Sequence, residues 1–470
     1  MAPASLLIRP AFVVLYFDNE NLQPLNRNRV LKRVLTFVDE TLVAPVQMMV
    51  VSSRRSLEIR QPFTDDPDAV ARALQRVAKE SGARLIRDAE RRKIFRDMER
   101  FARDAMRTSY RDLLLSVEGR LAKATARGQI LAYTEEETGV LKDTLANLQE
   151  AVRLVSSMEG RRTIVHVSNG IPMTPGLGLI HEYAATFQDQ TIYTRIAQRN
   201  FTQQFRSLAN SANREDVSLY TIDASGLNPL EGFMAEDSFY VPEATASWVT
   251  TSNLQEPLNY MADETGGVAV LNTNDVADGL RSIRDDLFSY YSVGYSISSS
   301  GEDTAYRIEV ELPGHPDFEI RYRKWLTAKS FDTKIRERVL QTLVRETGHN
   351  PMELRLTAGN LEPASGKRWE VPFRLSIPVN SLEMEAEADN LVARVELYFC
   401  VRDAKGKQSP TQRRDYEVRI PAAQFEPDRE QRYEIMVQLV FKEEQHVVAV
   451  GLMDRGSRQT SYARTVVEVP

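Results

Sequence analysis

Acidic and amide side chains follow three apolar segments of the chain, and their types and positions indicate a binding site. They are Asp18, Asn19, Glu20 and Asn21 after the first segment, Asn169 after the second and Asp223 after the third. Carboxylate and amide oxygens accept hydrogen bonds and attract cationic groups. Because a buried, unpaired carboxylate is costly, Asp18 and Glu20 must meet solvent, an internal counter-charge or the cationic group of a partner. These residues therefore predict a polar, net acidic binding surface.

Strands must position each of these polar groups. Residues 12–17 are apolar without alternation, which is typical of a strand covered on both faces in a parallel sheet. Residues 162–168 and 217–222 predict two more strands, and residues 26–43 carry apolar side chains at helical spacing. Since the carboxyl ends of parallel strands meet at one edge of an open sheet, the polar residues should lie together there. The sequence therefore predicts an α/β domain with a doubly wound, mostly parallel sheet.

The stretch from residue 88 to residue 157 has a different composition. It contains no Pro, and apolar residues recur at intervals of four and three from Leu141 to Val155, which is the heptad-like pattern of packed helices. We predict two long helices joined near residues 128–133. Because a helix of roughly forty residues would reach ~60 Å, we expect this helical hairpin insertion to project as a partner-binding arm. The alternative is that the helices lie across the domain and cover its core.

Alternating strands dominate the chain after residue 289. Residues 289–326 predict a β extension of the α/β domain, which then spans residues 1–329. Residues 330–350 predict a helical linker. Seven alternating segments within residues 351–470 are typical of a β-sandwich of the immunoglobulin or fibronectin type.

Composition limits the classes of function. The chain has 470 residues, which suggests two or three domains, and its net charge of -6 argues against a nucleic-acid-binding face. Its single cysteine, Cys400, excludes an intramolecular disulfide. No apolar run approaches the ~20 residues that span a bilayer, and the first residues are too short and too weakly charged for a secretory signal. These features leave the compartment unassigned.

No complete catalytic set is visible in the sequence. His181 and Glu182 begin a zinc-helix motif, but Ala185 stands at the place of its second histidine. Ser168 and His166 lack the elbow motif of a hydrolase nucleophile. We therefore expect a protein that is not an enzyme.

Six segments carry a resemblance to a known family. They are FVVLYFDNENL, GRRTIVHVSNGIP, VSLYTIDASGL, MADETGGVAVLNTNDVADGL, YYSVGYS and VAVGLMDRGSRQTSY. In their order and spacing the chain resembles the bacterial VWFA-related domain proteins, best known from acidobacterial genomes. The resemblance implies a von Willebrand factor A-like fold followed by a β-sandwich, and it suggests export from the cell.

The resemblance also implies the position of a metal-ion-dependent adhesion site. In adhesive domains of this fold, an Asp-x-Ser-x-Ser motif, a Thr on a second loop and an Asp on a third loop bind a divalent cation. Here Asp18, Glu20 and Leu22 stand at the motif, Asn169 on the third loop and Arg84 on the second, which lacks the Thr. The implied site is therefore degenerate. Arg84 either pairs with the two carboxylates in place of the cation or points to solvent.

These observations together predict a non-enzymatic protein–protein interaction module. We expect a protein partner with a basic or amide-rich surface to bind at the carboxyl edge of the sheet, at the helical arm, or at both, without a bridging metal or another cofactor. The predicted partner-binding residues are Asp18, Asn19, Glu20, Asn21, Arg84, Asn169 and Asp223. The alternatives are an adhesion domain that uses Mg²⁺ or Mn²⁺ and a hydrolase that uses the same cleft.

Overall fold

The computed structural model describes residues 10–469 apart from residues 108, 157, 159, 197–198, 228–243, 292, 294–301, 316, 319, 345–348, 365, 367, 405–407, 425–430 and 443. The chain forms two compact units, one of residues 1–296 and 305–327 and the other of residues 297–304 and 328–470. The finer predicted boundaries at residues 330 and 351 stay predictions.

The first unit is built on a six-stranded sheet. Its strands are β1 (Ala11–Asp18), β2 (Val46–Ser53), β3 (Leu57–Thr64), β4 (Arg161–Ser168), β5 (Val217–Asp223) and β6 (Ala269–Val270). They lie in the order β3-β2-β1-β4-β5-β6, and every neighbouring pair is parallel except β2 with β3. This topology confirms the predicted mostly parallel α/β sheet and is consistent with a von Willebrand factor A-like fold.

Helices cover both faces of this sheet. Among the described residues, the helices of this unit are α1 (Pro24–Thr41), α2 (Pro67–Val77), α3 (Arg84–Arg107), α4 (Tyr110–Leu115), α5 (Val117–Ser156), α6 (Leu177–Phe187), α7 (Thr191–Ile196), α8 (Thr202–Arg214), α9 (Ala244–Glu264) and α10 (Ala277–Phe288). Alternate residues of β1 pack into two cores, one shared with α1, α2 and α10 and the other with α5, α8 and α9. This two-sided burial explains why the β1 sequence is apolar without alternation. Among the described residues, no helix has both the length and the apolar character needed to cross a bilayer.

The predicted joint of the helical insertion is wrong. Helix α5 runs without a break through residues 128–133, and the chain instead turns between α3 and α5 around α4. The turn is closed by Ser116, whose Oγ accepts a hydrogen bond from the Gly119 backbone N–H at 2.9 Å. A Cβ atom on Gly119 would lie 2.0 Å from the Leu113 carbonyl oxygen, so only a glycine allows this close approach.

The two halves of α5 pack in different ways. Leu141, Leu145 and Leu148 of the second half are buried against the sheet core. Ala126 and Ile130 of the first half pack instead in a cluster that includes residues of α3 and α6. The second half therefore covers the domain core, as in the alternative interpretation, because its heptad-like apolar stripe faces the sheet.

The predicted β extension is short within the described residues. It consists of β7 (Thr304–Arg307) and β8 (Trp325–Ala328), which pair in a two-stranded sheet.

The second unit contains one helix and two antiparallel sheets. Its elements are α11 (Phe331–Val344), β9 (Arg355–Ala358), β10 (Glu362–Ala364), β11 (Arg368–Pro378), β12 (Glu385–Glu387), β13 (Asn390–Asp403), β14 (Gln412–Pro421), β15 (Arg432–Lys442), β16 (Glu444–Asp454) and β17 (Thr460–Val469), with short 3₁₀ helices at Val379–Ser381 and Ala422–Gln424. One sheet has the order β10-β11-β15 with β9 beside β11, and the other has the order β12-β13-β16-β17 with β14 beside β13. Their inner faces share one hydrophobic core, as expected of a β-sandwich. Helix α11, at the position of the predicted linker, packs on the second sheet through Ile335 and Val339.

Candidate functional site

The predicted site residues lie at the carboxyl edge of the first sheet. Asp18, Asn169 and Asp223 end or follow β1, β4 and β5, while Asn19, Glu20 and Asn21 begin the loop to α1, and Arg84 opens α3. All seven are buried, and the most accessible of them is 9% exposed. In this structure these side chains are therefore shielded from solvent, and partner binding through them stays a prediction.

Asp18 is held by amide groups of its own loop. Its carboxylate accepts hydrogen bonds from the Asn21 backbone N–H at 3.3 Å and from the Asn21 side-chain amide at 2.8 Å. The same amide nitrogen donates to Oγ1 of Thr144 on α5 at 3.0 Å. His166 Nε2 lies 3.6 Å from Asp18 Oδ2. Helix α5 is thus bonded directly to the loop that carries the aspartate.

Glu20 forms a buried ion pair with Arg87. The Arg87 guanidinium donates to Glu20 Oε1 at 2.7 Å, to the Glu20 backbone oxygen at 2.6 Å and to Asn21 Oδ1 at 3.2 Å. For Arg84 the sequence left open either a pair with the two carboxylates or exposure to solvent; Arg84 is buried, and its Nε donates to Asp88 at 3.1 Å. The counter-charge that pairs with Glu20 is thus Arg87 of α3, nearly one helical turn after Arg84.

Arg27 and Glu80 hold the other side of the same loop. Arg27 is buried and donates to Asn19 Oδ1 at 2.9 Å and to the backbone oxygens of Ala78 and Glu80 at 2.9 and 2.8 Å. The Asn19 amide donates to the Glu80 carboxylate. Burial lowers the pKa of Arg27, and the nearby Glu80 acts in the opposite direction. Sequence reasoning missed both residues because neither belongs to a recognised motif.

Asp88 is the buried acidic centre at the start of α3. It accepts hydrogen bonds from Arg84 at 3.1 Å and from Gln23 Nε2 at 2.7 Å, and Arg91 lies 3.7 Å away. Burial acts to raise the pKa of Asp88, but Arg84, Arg91 and the Gln23 hydrogen bond outweigh it and leave that pKa below its ordinary value. The carboxylate is therefore ionised and ties α3 to the edge.

Asn169 and Asp223 form hydrogen bonds with different parts of the unit. The Gln23 backbone N–H donates to Asn169 Oδ1 at 3.4 Å, and Asn169 Nδ2 has no hydrogen-bond partner among the described residues. Asp223 accepts hydrogen bonds from the Ser225 backbone N–H at 2.9 Å and from Gln255 of α9 at 2.9 Å. The structure thus brings Asp18, the Asn19–Asn21 loop and Asn169 together, whereas Asp223 is engaged with its own turn and α9.

The adhesion-site positions do not fit a divalent cation in this conformation. The carboxylates of Asp18 and Glu20 already accept hydrogen bonds from the Asn21 amide and the Arg87 guanidinium, and the apolar Leu22 stands at the third motif position. A guanidinium beside Glu20 would repel a second cation. Within the part of the chain that the structure describes, no three or more His, Cys, Asp or Glu side chains are grouped to hold a metal ion.

The candidate hydrolase residues do not form a nucleophile–base pair. Ser168 Oγ donates to the Gly170 backbone oxygen at 3.3 Å, and both ring nitrogens of the buried His166 lack a hydrogen-bond partner among the described residues. His181 Nδ1 lies 3.0 Å from the hydroxyl of Tyr193. A serine hydrolase would require Ser168 to bond to His166 instead.

A second candidate surface lies on the helices of the insertion. A groove of about 350 Å³ separates α3 from the first half of α5. We call it the helical groove, and its apolar lining is Met98, Phe101, Leu121, Ala122, Ala126 and Phe187. Leu115, Val117 and Leu121, at the start of α5 and just before it, are 67%, 72% and 66% exposed. This part of the insertion therefore presents apolar side chains to solvent.

Comparison with known proteins gives only distant likenesses. No protein-family model and no curated protein matches the sequence. The chain is similar to the vWF domain of the type V pili tip protein Mfa5 from Porphyromonas gingivalis, with 11% identity over 61% of this chain and 99% of that one and a TM-score of 0.32. An aerotolerance-related membrane protein from Bacteroides fragilis is 11% identical over 59% and 98% of the two chains, with a TM-score of 0.30. BatB from Bacteroides thetaiotaomicron is 14% identical over 59% and 97%, with a TM-score of 0.28. Because these scores are low, the fold assignment depends on the sheet topology.

Proposed function

We propose that this protein is a non-enzymatic protein–protein interaction module that binds its partner at the helical groove without a bridging metal. The supporting observation is that Leu121 lines that groove and is 66% exposed, while Leu115 and Val117, a few residues before it in the chain, are also exposed. Clustered apolar side chains next to a concave surface mark interaction sites, because leaving them in water is unfavourable. Export from a bacterial cell, which the family resemblance implies, belongs to the same proposal.

In this proposal, the residues at the carboxyl edge of the first sheet stabilise the fold and do not contact the partner. Asp18 and Glu20 are buried and bonded within the chain, so they fix the loop after β1 and leave partner binding to the helices. Direct contact between a partner and the seven edge residues stays a prediction, and it would require Arg87 to leave Glu20. The metal-dependent adhesion domain would require the same rearrangement, and the hydrolase would require Ser168 to bond to His166.

Site-specific photo-crosslinking tests the proposal. A benzophenone amino acid replaces Leu121 of the groove in one variant and Arg153, an exposed residue on the second half of α5, in the control. In extracts of the source cells, we expect the variant with the probe at position 121 to form a protein adduct and the variant with the probe at position 153 to form none. The adduct from position 121 should be lost when Val117→Asp is added, and it should still form in the presence of EDTA. No adduct from position 121, or the same adduct from both positions, would overturn the proposal. Loss of the adduct in EDTA would favour the metal-dependent alternative.

A further inference from the structure

Strand β15 lies at the edge of its sheet in the second unit. It pairs with β11 along its whole length, and among the described residues no strand pairs with its other side. Its central segment, residues 435–441, reads IMVQLVF and contains no charged residue, Pro or Gly. An edge strand of this length and composition can pair with another strand, because its backbone groups have no neighbour on one side.

The hydrogen-bonding direction of β15 follows from Pro372 of β11. The Gly359 backbone N–H donates to the Pro372 carbonyl oxygen at 2.7 Å, so this oxygen points to the β9 side of β11 and away from β15. Pro372 faces Gln438 in the strand register and has no N–H, so these two residues exchange no backbone hydrogen bonds. The N–H and C=O of Gln438 therefore point to the free side of β15. Those of Met436 and Val440 do the same, because the direction alternates along a strand.

The free side of β15 is open at its centre. Among the described residues, no hydrogen bond from another element reaches the backbone of Met436, Gln438 or Val440. The side chains of Met436 and Val440 are 53% and 55% exposed on the outer face of the sheet. At the end of the strand, His446 Nε2 lies 3.1 Å from the Lys442 backbone oxygen. The three central residues thus offer backbone donors and acceptors beside exposed apolar side chains.

An edge strand of the other sheet is protected in a way that β15 is not. Within the described part of the chain, β14 also pairs on one side only, with β13. It carries charged side chains in exposed ion pairs, Arg413 with Asp415 at 3.3 Å and Arg419 with Glu417 at 2.9 Å. Charged side chains on an edge strand oppose pairing with a second chain. The centre of β15 has no such charges.

The order of side chains along β15 is complementary to itself. Consider two β15 strands that pair antiparallel and are centred on Gln438. Glu434 then lies opposite Lys442 of the second copy, so that a carboxylate faces an ammonium group. Met436 lies opposite Val440 of the second copy, so that apolar side chains face each other. Any other antiparallel register moves Glu434 away from Lys442.

We propose that β15 binds β15 of a second copy of this chain, antiparallel and centred on Gln438, so that two β-sandwiches share one continuous sheet. Met436, Gln438 and Val440 exchange about six backbone hydrogen bonds across the twofold axis. The self-complementary order of charges selects a second copy over an unrelated extended segment. Because β15 belongs to the second unit and the helical groove to the first, this inference does not depend on the proposed function.

Sedimentation velocity of the full chain tests the inference. Between about 1 and about 200 µM in about 50 mM NaCl, the wild type should pass from monomer to dimer, as expected of a small interface. Gln438→Pro removes an N–H that points to the free side of β15, where an edge strand tolerates Pro. This variant should remain monomeric and keep the circular dichroism of the wild type. The matched control, Gln438→Ala, retains the N–H and should dimerise like the wild type within about threefold.

Charge reversal tests the register. Within its own copy, Glu434 lies 3.6 Å from Arg374, and both side chains are more than half exposed, so the carboxylate stays accessible to a second copy. Glu434→Lys alone, or Lys442→Glu alone, places like charges opposite each other and should raise the Kd of the dimer by about tenfold. A mixture of the two single variants restores both opposite-charge pairs. With one variant fluorescently labelled, their heterodimer should form with about the wild-type affinity.

Four results would overturn the inference. The first is a wild type that stays monomeric throughout the concentration range, which would leave the edge to a strand of another protein. The others are a dimer that survives Gln438→Pro, loss of the dimer in Gln438→Ala, and single charge variants that dimerise like the wild type or are not rescued by mixing. If Gln438→Pro does not fold, the charge variants and their mixture decide the question.

Discussion

The buried ion pair between Glu20 and Arg87 gives a quantitative prediction. Its Nη1–Oε1 distance is 2.7 Å, and only 5% of the Arg87 side chain and 11% of the Glu20 side chain are exposed. Arg87→Ala removes the cation together with the donors to the Glu20 backbone oxygen and to Asn21. Because a buried carboxylate is then left without a counter-charge, we expect the free energy of unfolding to fall by about 3–5 kcal/mol.

Urea unfolding followed by far-ultraviolet circular dichroism measures this cost, since helices α1 to α10 lie in the first unit. The matched control is Arg153→Ala, which removes an exposed pair with Glu150 at 3.0 Å and should cost about 1 kcal/mol or less. Replacing Glu20 by Gln in the Arg87→Ala background should restore about 2 kcal/mol, because the unpaired charge is removed. An Arg87→Ala cost no larger than that of the control, with no recovery in the double variant, would refute the assignment of a closed, buried edge.

Three further predictions concern the core, the pH dependence and metal binding. Leu148→Ala should destabilise the first unit by about 2–5 kcal/mol in the same urea assay, whereas Leu115→Ala should stay within about 0.5 kcal/mol, since only Leu148 is buried against the sheet. The pKa of Asp88 is lower in the folded than in the unfolded chain, so its charge stabilises the fold above about pH 4, and this contribution disappears as the pH falls through the folded pKa. In unfolding measured at several pH values, Asp88→Asn should be less stable than the wild type near neutral pH, and the difference in free energy of unfolding should shrink in acid. A difference that grows in acid would contradict the lowered pKa. Thermal unfolding in EDTA and in millimolar Mg²⁺ should give the same midpoint, because a cation that binds only the folded chain would raise it.

Local sequence patterns predicted the main sheet and the second unit well. The apolar run at residues 12–17 identified a strand buried on both faces, and β1 shows this burial. The alternating segments after residue 351 identified β-strands because one face of each packs into a shared core. Both features depend on periodicities within a single element, which a sequence displays directly.

Features that depend on the phase of a helix or on distant contacts could not be predicted in the same way. Gly128 suggested a break in the insertion, but a Cβ atom at that position meets no neighbouring atom within 4 Å, and the glycine is simply an exposed residue of α5. The actual turn had a signal in Ser109 and Ser116, whose hydroxyls accept backbone N–H bonds at the starts of α4 and α5. Arg87 could not be identified as the partner of Glu20, because its position depends on where α3 begins relative to Glu20, and no local pattern fixes that rotation.

The continuity of α5 has a mechanical consequence. This helix has 40 residues and a length of about 60 Å, with Leu121 beside the groove near one end and Val152 buried under the sheet near the other. An unbroken ladder of backbone hydrogen bonds joins the two ends, so a force applied at the groove reaches the sheet without passing through a hinge. A tethered partner would therefore pull on the folded core itself. Single-molecule stretching from position 121 should then show abrupt unfolding at the resistance of the core, whereas a soft extension before that event would show that the helix detaches first.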